Sequence, residues 1–343
     1  MRAAQISEWG GTLDLVERGE PVPGEGEVLV RVEACGVGLT VLNCIRGDLG
    51  NDPANLPRVP GHELVGIVVA VGPGVHARLE GERVAAYFYL SCGTCRQCLA
   101  GLEPLCERHA GYVGVDRDGG YGELCVLPVF NALPLPSTID PVTATTIPDA
   151  IATPVHVARL TSLRPGSRVA VIGAGGGLGI HMVQVAGVYG ADVVALDVAH
   201  EKLAYLEREL GVLAVDSSDV SRVRLPAAWD RGASVVVDFV GTRESLEWGA
   251  SALAPHGTLV CTTTFRDRSF AISPRDLVLA QAAVTGSRYA SRAEVGIAAD
   301  LVASERIRPV IGRRVGLDEL ESLHDELHRG SLLGRGALVW SQT

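Results

Sequence analysis

One stretch fixes what the back half of this 343-residue chain can become. Arg168-Val-Ala-Val-Ile172 is a short apolar run of buried-strand type, Gly173-Ala-Gly-Gly-Gly-Leu-Gly179 is a turn, and an amphipathic helix follows through Val188. Ala191-Asp-Val-Val-Ala-Leu-Asp197 reads as the next strand and 201–210 as the next helix, with later strands at 234–239 and 258–263. Strand and helix in alternation predict an α/β fold, with a doubly wound parallel sheet covered by helices on both faces.

A glycine cluster between strand and helix permits a tight turn. It also lets backbone N–H groups approach a pyrophosphate and brings helix and strand close together. Gly173, Gly175, Gly176, Gly177, Leu178 and Gly179 are therefore the candidate dinucleotide cradle. Asp197 lies 18 residues after Gly179, at the end of the next strand. A carboxylate there accepts hydrogen bonds from ribose hydroxyls and repels a 2′-phosphate. Of the 30 basic residues, 29 are Arg and one is Lys, and that one is Lys202. A compact ammonium bridges ribose hydroxyls, whereas an Arg fork suits a phosphate. Together Asp197 and Lys202 favour NAD(H) over NADP(H). An ordinary strand-end Asp and a lysine placed there by chance are the plain alternatives.

The front half has a different rhythm. Glu27-Val-Leu-Val-Arg-Val-Glu33 and Leu64-Val-Gly-Ile-Val-Val-Ala-Val71 are short apolar runs between Gly/Pro turns, and alternation in the first predicts a strand with one buried face. Cys92, Cys95, Cys98 and Cys106 follow as C-x2-C-x2-C-x7-C in a loop. Four thiolates at such spacing fold onto one tetrahedral ion and leave no position open for substrate, which points to one structural zinc per chain. Two disulfides are the alternative, and they need an oxidising compartment. The start, MRAAQISEWGG, has no apolar core of signal-peptide type, and no apolar run approaches membrane-span length. A cytoplasmic setting follows, with Cys35, Cys44, Cys125 and Cys261 as free thiols. Net charge is −10 without a basic cluster, which argues against nucleic acid as a partner, and the lack of a long apolar run argues against a membrane. Asp318 to Arg329 reads as a helix and Gly336-Ala-Leu-Val-Trp340 as a closing strand that returns to the first lobe.

These motifs resemble the zinc-containing alcohol dehydrogenase family of the medium-chain dehydrogenase/reductases. The resemblance covers nearly the whole chain. It rests on Gly61-His62-Glu63 with the Val-Gly-Pro-Gly turn at 71–74, the four-cysteine loop, Asp118-Gly-Gly-Tyr-Gly-Glu123, the glycine turn, the 234–241 strand with Asp238 and Gly241, and Gly334-Arg335. It implies a GroES-like β-rich catalytic domain over 1–149, a Rossmann domain over 150–288, and a segment, 289–343, returning to the catalytic domain. It further implies an NAD(P)-dependent oxidoreductase, a small-molecule substrate in an interdomain cleft, and a homodimer or homotetramer. By resemblance Arg335 approaches the cofactor pyrophosphate.

The catalytic metal motif departs from the family pattern. Members with zinc catalysis carry Cys-His-Thr-Asp or similar after a Gly-Val dipeptide. This chain reads Gly36-Val37-Gly38-Leu39-Thr40-Val41, so Gly38 stands for the ligand cysteine, Val41 for the Asp that orients the ligand His, and Asn43 for a proton-relaying His. His62 matches the second ligand, Glu63 its neighbour and Asp149 the third. Neither Cys35 nor Cys44 falls at the ligand position. Without zinc, interconverting alcohol and ketone needs another acid/base, whereas reducing an activated C=C bond needs only donors for the enolate oxygen. The expectation is NAD(H)-dependent reduction of an activated C=C or carbonyl group, with His62 and Thr40 assisting proton transfer and Asp149 orienting the imidazole. Two other readings stand beside it: a zinc-dependent alcohol dehydrogenase using His62, Glu63 and Asp149 as substitute ligands, and an inactive cofactor-binding scaffold or sensor. Tyr87 and Tyr89 are candidates for lining the cleft.

Overall fold

The structure, a computed structural model, describes residues 1–265 and 268–340. It divides into two units. The first holds Met1–Ala152, Ala290–Glu305 and the chain from Ile311 onward, and the second holds Thr153–Tyr289 and Arg306–Val310.

The second unit carries six parallel strands in the order Leu213–Asp216, Asp192–Asp197, Arg168–Ile172, Ala233–Asp238, Leu253–Cys261, Ala283–Gly286. In chain order this is 3-2-1-4-5-6, the doubly wound arrangement whose order reverses between the first and fourth strands. Val169, Ala170, Val171 and Ile172 are all buried. A parallel strand covered on both faces has no polar side to show, which is why this run lacks alternation. Ala170, Leu196, Val236 and Leu259 form the core of this unit.

The first unit is built on a sheet ordered Ile311–Val315, Arg335–Val339, Glu27–Val37, Glu63–Val71, Arg83–Ala86, Ala132–Pro134, with Leu124–Pro128 also paired to Glu27–Val37. Glu27–Val37 thus has three partners and is buried along most of its length, so only Arg31 points to solvent. The one-sided strand expected at 27–33 is instead a central strand. Two pairings position the site. Gly336 lies opposite Val37 and Ala337 opposite Gly36, while Gly36 lies opposite Glu63 on its other side. The C-terminal strand therefore delivers Arg335 to the point where Gly38 ends the central strand.

Helix Leu320–His328 packs Leu320, Leu323, His324 and Leu327 inward. Burial first, and His328 second, push the His324 pKa from 6.5 down to about 4. The ring Nε2 and the Tyr121 hydroxyl share a hydrogen bond at 2.9 Å. Because the folded pKa lies below the unfolded one, this group stabilises the fold above pH 6.5, and the contribution is lost as pH falls toward 4. The loss amounts to at most about 3 kcal/mol. His324→Gln, which keeps an acceptor but does not titrate, is expected to flatten Tm against pH across that window. A wild-type profile already flat there would remove the assignment. Among the described residues no helix is long and apolar enough to cross a membrane.

Candidate active site

At the glycine turn the amides of Gly173, which has φ +75°, and Ala174 both donate to the Leu196 carbonyl at 2.9 Å. Gly176 N donates to the Gly173 carbonyl at 3.2 Å, and Leu178 caps helix Gly179–Val188. A Cβ on Gly179 would stand 2.1 Å from the Gly173 carbonyl oxygen, so only glycine lets this helix start so close to the strand end. The positive end of the helix dipole is thereby presented at the turn. Asp197 closes the adjacent strand: its Oδ2 accepts from Gly175 N at 2.8 Å, and its Oδ1 from Val198 N and Ala199 N at 2.8 and 3.1 Å. A carboxylate has about four acceptor positions, which leaves capacity on Oδ2 for a hydroxyl. The Lys202 side chain, buried, lies over Gly175, where a Cβ would meet it at 2.5 Å. Burial lowers the Lys202 pKa and Asp197 opposes that shift. A cavity of about 780 Å³, lined by Ile172, Val198, Ser217, Val220, Val240 and Trp248, opens at these strand ends.

His181, which the sequence reasoning missed, braces the turn from the helix. Its Nδ1–H donates to the Gly177 carbonyl at 2.6 Å and its Nε2 accepts from Val310 N at 3.1 Å. The only sequence signal was a polar residue in an otherwise apolar helical face.

The four cysteines converge in the first unit. Their Sγ atoms stand 3.4 Å (Cys95–Cys98), 3.9 Å (Cys95–Cys106) and 4.0 Å (Cys92–Cys98) apart. Zinc–sulfur bonds of about 2.3 Å in a tetrahedron require sulfur separations of about 3.8 Å. Backbone amides point at the sulfurs, with Cys92 N on Cys106 Sγ and Cys95 N on Cys92 Sγ at 3.3 Å. The Thr94 amide first, then the Arg108 guanidinium, bring the Cys92 pKa down to about 5, in favour of the thiolate that a metal takes. The donor set and its spacing fit zinc.

The third cluster gathers at the Gly38 end of the central strand. His62, Glu63, Asp149 and Arg335 are all buried. Asp149 comes from a π-helical turn, Ile147–Ile151, a local widening often found at functional positions. Its Oδ2 lies 3.4 Å from His62 Nε2 and accepts from Arg335 Nη2 at 3.0 Å. Arg335 Nε donates to Glu63 Oε2 at 2.9 Å, and Nη2 also donates to Glu63 Oε1. Burial works against the Arg335 charge, but Glu63 and Asp149 outweigh it and raise its pKa, so the guanidinium stays charged. A Cβ on Gly38 would stand 2.2 Å from Arg335 Cζ and Nη1, and a Cβ on Gly36 would stand 2.2 Å from Glu63 Oε2. The two missing side chains make the space that the ion pair fills.

Arg335, assigned by resemblance to the pyrophosphate, is thus placed in the first unit with its donors on two carboxylates. Thr40, half-buried, sits in the first turn of helix Leu39–Ile45, which Gly38 caps. The Phe88 ring lies against His62, tilted at 43° with centroids 4.5 Å apart, while its neighbours Tyr87 and Tyr89 are buried and Tyr87 donates to the Ala290 carbonyl at 2.8 Å. His62 Nδ1 is sealed without a partner, as expected where Val41 replaces a carboxylate. No thiol joins His62, Glu63 and Asp149 in a ligand-compatible group among the described residues. Burial first, then nearby carboxylates, raise the pKa of Cys35 and Cys44 and keep both as inert thiols.

Comparison with known proteins agrees with this assembly of parts. The family model for the alcohol dehydrogenase GroES-like domain matches residues 24–137, and that for zinc-binding dehydrogenase matches residues 177–304. An alcohol dehydrogenase of Geobacillus stearothermophilus is 34% identical over 337 residues, 98% of each chain. An acryloyl-coenzyme A reductase of Metallosphaera sedula is 28% identical over 344 residues, 99% of this chain and 100% of that one. Among solved structures, an NAD-dependent alcohol dehydrogenase aligns with a TM-score of 0.90 at 29% identity, over 99% of this chain and 100% of that one.

Proposed function

The chain belongs to the zinc-containing alcohol dehydrogenase family, and from that premise we propose an NAD(H)-dependent oxidoreductase that works on small carbonyl or conjugated compounds without a metal at its substrate site. The observation that carries the proposal is the placement of the Arg335 guanidinium, which fills the space over Gly38 and holds both Glu63 and Asp149. A divalent ion drawn to His62, Glu63 and Asp149 would have to displace a buried cation from two carboxylates. It would gain no thiolate in return, and no carboxylate behind His62. The ligand atoms of His62, Glu63 and Asp149 do lie within 4.8 Å of one another, but on this reading Arg335 takes both carboxylates, whereas Cys92, Cys95, Cys98 and Cys106 fit a structural zinc.

The glycine turn, Asp197 and Lys202 would hold a nicotinamide dinucleotide, which supplies or accepts a hydride when bound. The protein's task is then to bind the substrate oxygen and to manage one proton. His62 Nε2 faces Asp149 Oδ2 at 3.4 Å. That makes His62 the candidate proton carrier, with Asp149 orienting its imidazole and Thr40 passing the proton on. Reduction of a conjugated C=C bond makes the smallest demand on this set, and the resemblance to an acryloyl-coenzyme A reductase supports that substrate class. Metal analysis of pure protein tests the reading. One zinc per chain, with turnover of NADH on an enone or ketone panel, supports it; two zincs per chain would restore the metal-dependent alternative.

Asp197 favours NAD(H), because a 2′-phosphate would be brought against a buried carboxylate. Asp197→Ala is expected to reduce the kcat/KM preference for NADH over NADPH by about tenfold or more, roughly the 1–2 kcal/mol of a charged hydrogen bond. An unchanged ratio would remove the ribose assignment.

A further inference from the structure

The parallel sheet of the second unit has another hollow, at the ends of its strands away from the glycine turn. A cavity of about 760 Å³ opens where Asp192 and Leu213 begin their strands. Asp197, beside the glycine turn, ends the first of these strands, roughly 17 Å away at about 3.3 Å per residue. The two places are therefore separate. The volume lies within the range of about 300–1,000 Å³ that small-molecule sites occupy. Val183, Val193, Leu213 and Trp229 give the cavity an apolar wall, on which Leu213 is 48% exposed. Its two charged side chains, Asp192 and Arg306, are opposite in sign. Both are exposed, and neither is committed to an ion pair or side-chain hydrogen bond among the described residues. The backbone that carries Arg306 is held in place. Gln184, which also lines the cavity, donates from Nε2 to the Arg308 carbonyl at 3.0 Å and accepts from the Arg308 amide at 2.8 Å.

We propose that this cavity is a second binding site, for a small zwitterion with an apolar body such as a free apolar amino acid. The carboxylate of the ligand meets Arg306, its ammonium meets Asp192, and its side chain lies on the apolar wall beside Trp229. The pair of charges is what selects the class. An amphipathic anion would be drawn to Arg306 but repelled by Asp192, and an amphipathic cation the reverse. A zwitterion satisfies both, so neither lining charge faces its like. The apolar wall supplies the area that leaves water, which a polar amino acid would not cover. The inference stands independently of the metal-free reading above. It also assigns the ligand no part in hydride transfer, because the glycine turn lies at the opposite ends of the strands.

Calorimetry with L-phenylalanine tests the site, on the whole protein saturated with NADH so that the cofactor cavity is already filled. Saturable binding to a single site is expected, in the low millimolar range for a ligand of this size. The analogue 3-phenylpropionate lacks the ammonium, and 2-phenylethylamine lacks the carboxylate. Each should bind about two- to fivefold more weakly, the worth of one exposed charge pair. Arg306→Gln and Asp192→Asn should each weaken phenylalanine binding by about the same two- to fivefold factor. Both side chains are exposed, so these variants should keep the wild-type Tm and NADH Kd. Absence of saturable phenylalanine binding would overturn the proposal. So would equal binding of either analogue, or phenylalanine affinity unchanged in both variants.

Discussion

Gly38→Cys should destabilise the protein and fail to restore a metal. The new Cβ would stand 2.2 Å from the Arg335 guanidinium carbon, well inside any real contact. The guanidinium must shift, and its hydrogen bonds to the buried Glu63 and Asp149 carboxylates are broken or distorted. Breaking a buried ion pair from one side costs about 3–5 kcal/mol. For units of this size that corresponds to a fall in Tm on the order of 10 °C. Zinc content should stay at one per chain, because the crowded guanidinium has no other place to go and obstructs the approach of an ion to His62, Glu63 and Asp149. The double variant Gly38→Cys with Arg335→Met behaves differently. It removes the clash and the competing cation together, and it frees Glu63 and Asp149 beside His62 and the new thiol. Its zinc content should rise to two per chain. Differential scanning calorimetry and metal analysis read both variants. A single variant as stable as wild type, or a double variant that takes up no second metal, would show that Arg335 does not fill the metal's place.

That coupling between Gly38 and Arg335 marks where sequence reading stops. The glycine turn, Asp197 and the alternating strands and helices were legible because each is local: strand, turn and helix announce themselves within about thirty residues through period and glycine placement. The four-cysteine loop was legible for the same reason. Gly38 and Val41 were visible as departures, but what filled the space was not. The Glu63–Arg335 pair joins residues 272 positions apart, and it depends on the register in which the closing strand meets the central one. A one-residue slip would turn Arg335 to the other face, and nothing in either segment alone sets that register. The misjudged strand at 27–33 has the same origin. Its alternation was real at Arg31, yet pairing with three neighbours decided its burial. His181 escaped notice because a histidine in an apolar helix carries no sign of the two backbone groups it bridges.

Cys95→Ala is expected to abolish zinc binding and release the loop around it. Cys95 is the hub of the cluster: its Sγ lies within 4 Å of both Cys98 and Cys106, and it accepts the Cys98 amide at 3.5 Å. The loop's other anchors are local: Glu103 and Pro104 are buried, and Ser91 Oγ donates to the Glu103 carbonyl at 2.9 Å. Helix Arg96–Leu99 is a single turn, and Leu99, Leu102 and Leu105 are exposed rather than packed in a core. Structural zinc contributes about 10–16 kcal/mol of apparent binding free energy in small zinc domains, and here it has few other interactions to share the work with. Loss of one thiolate should therefore cut zinc to less than a tenth per chain and open the loop to protease between Cys92 and Cys106. The sheet core of Val30, Leu64 and Leu338 stands apart from this loop. The second unit, with its own core, should keep its Tm and its NADH affinity. Limited proteolysis with mass mapping, alongside metal analysis, separates these outcomes. A wild-type protein without zinc and four mass units lighter than its reduced form would mean two disulfides in place of the ion. Full zinc in the variant would mean that Cys95 is not a ligand.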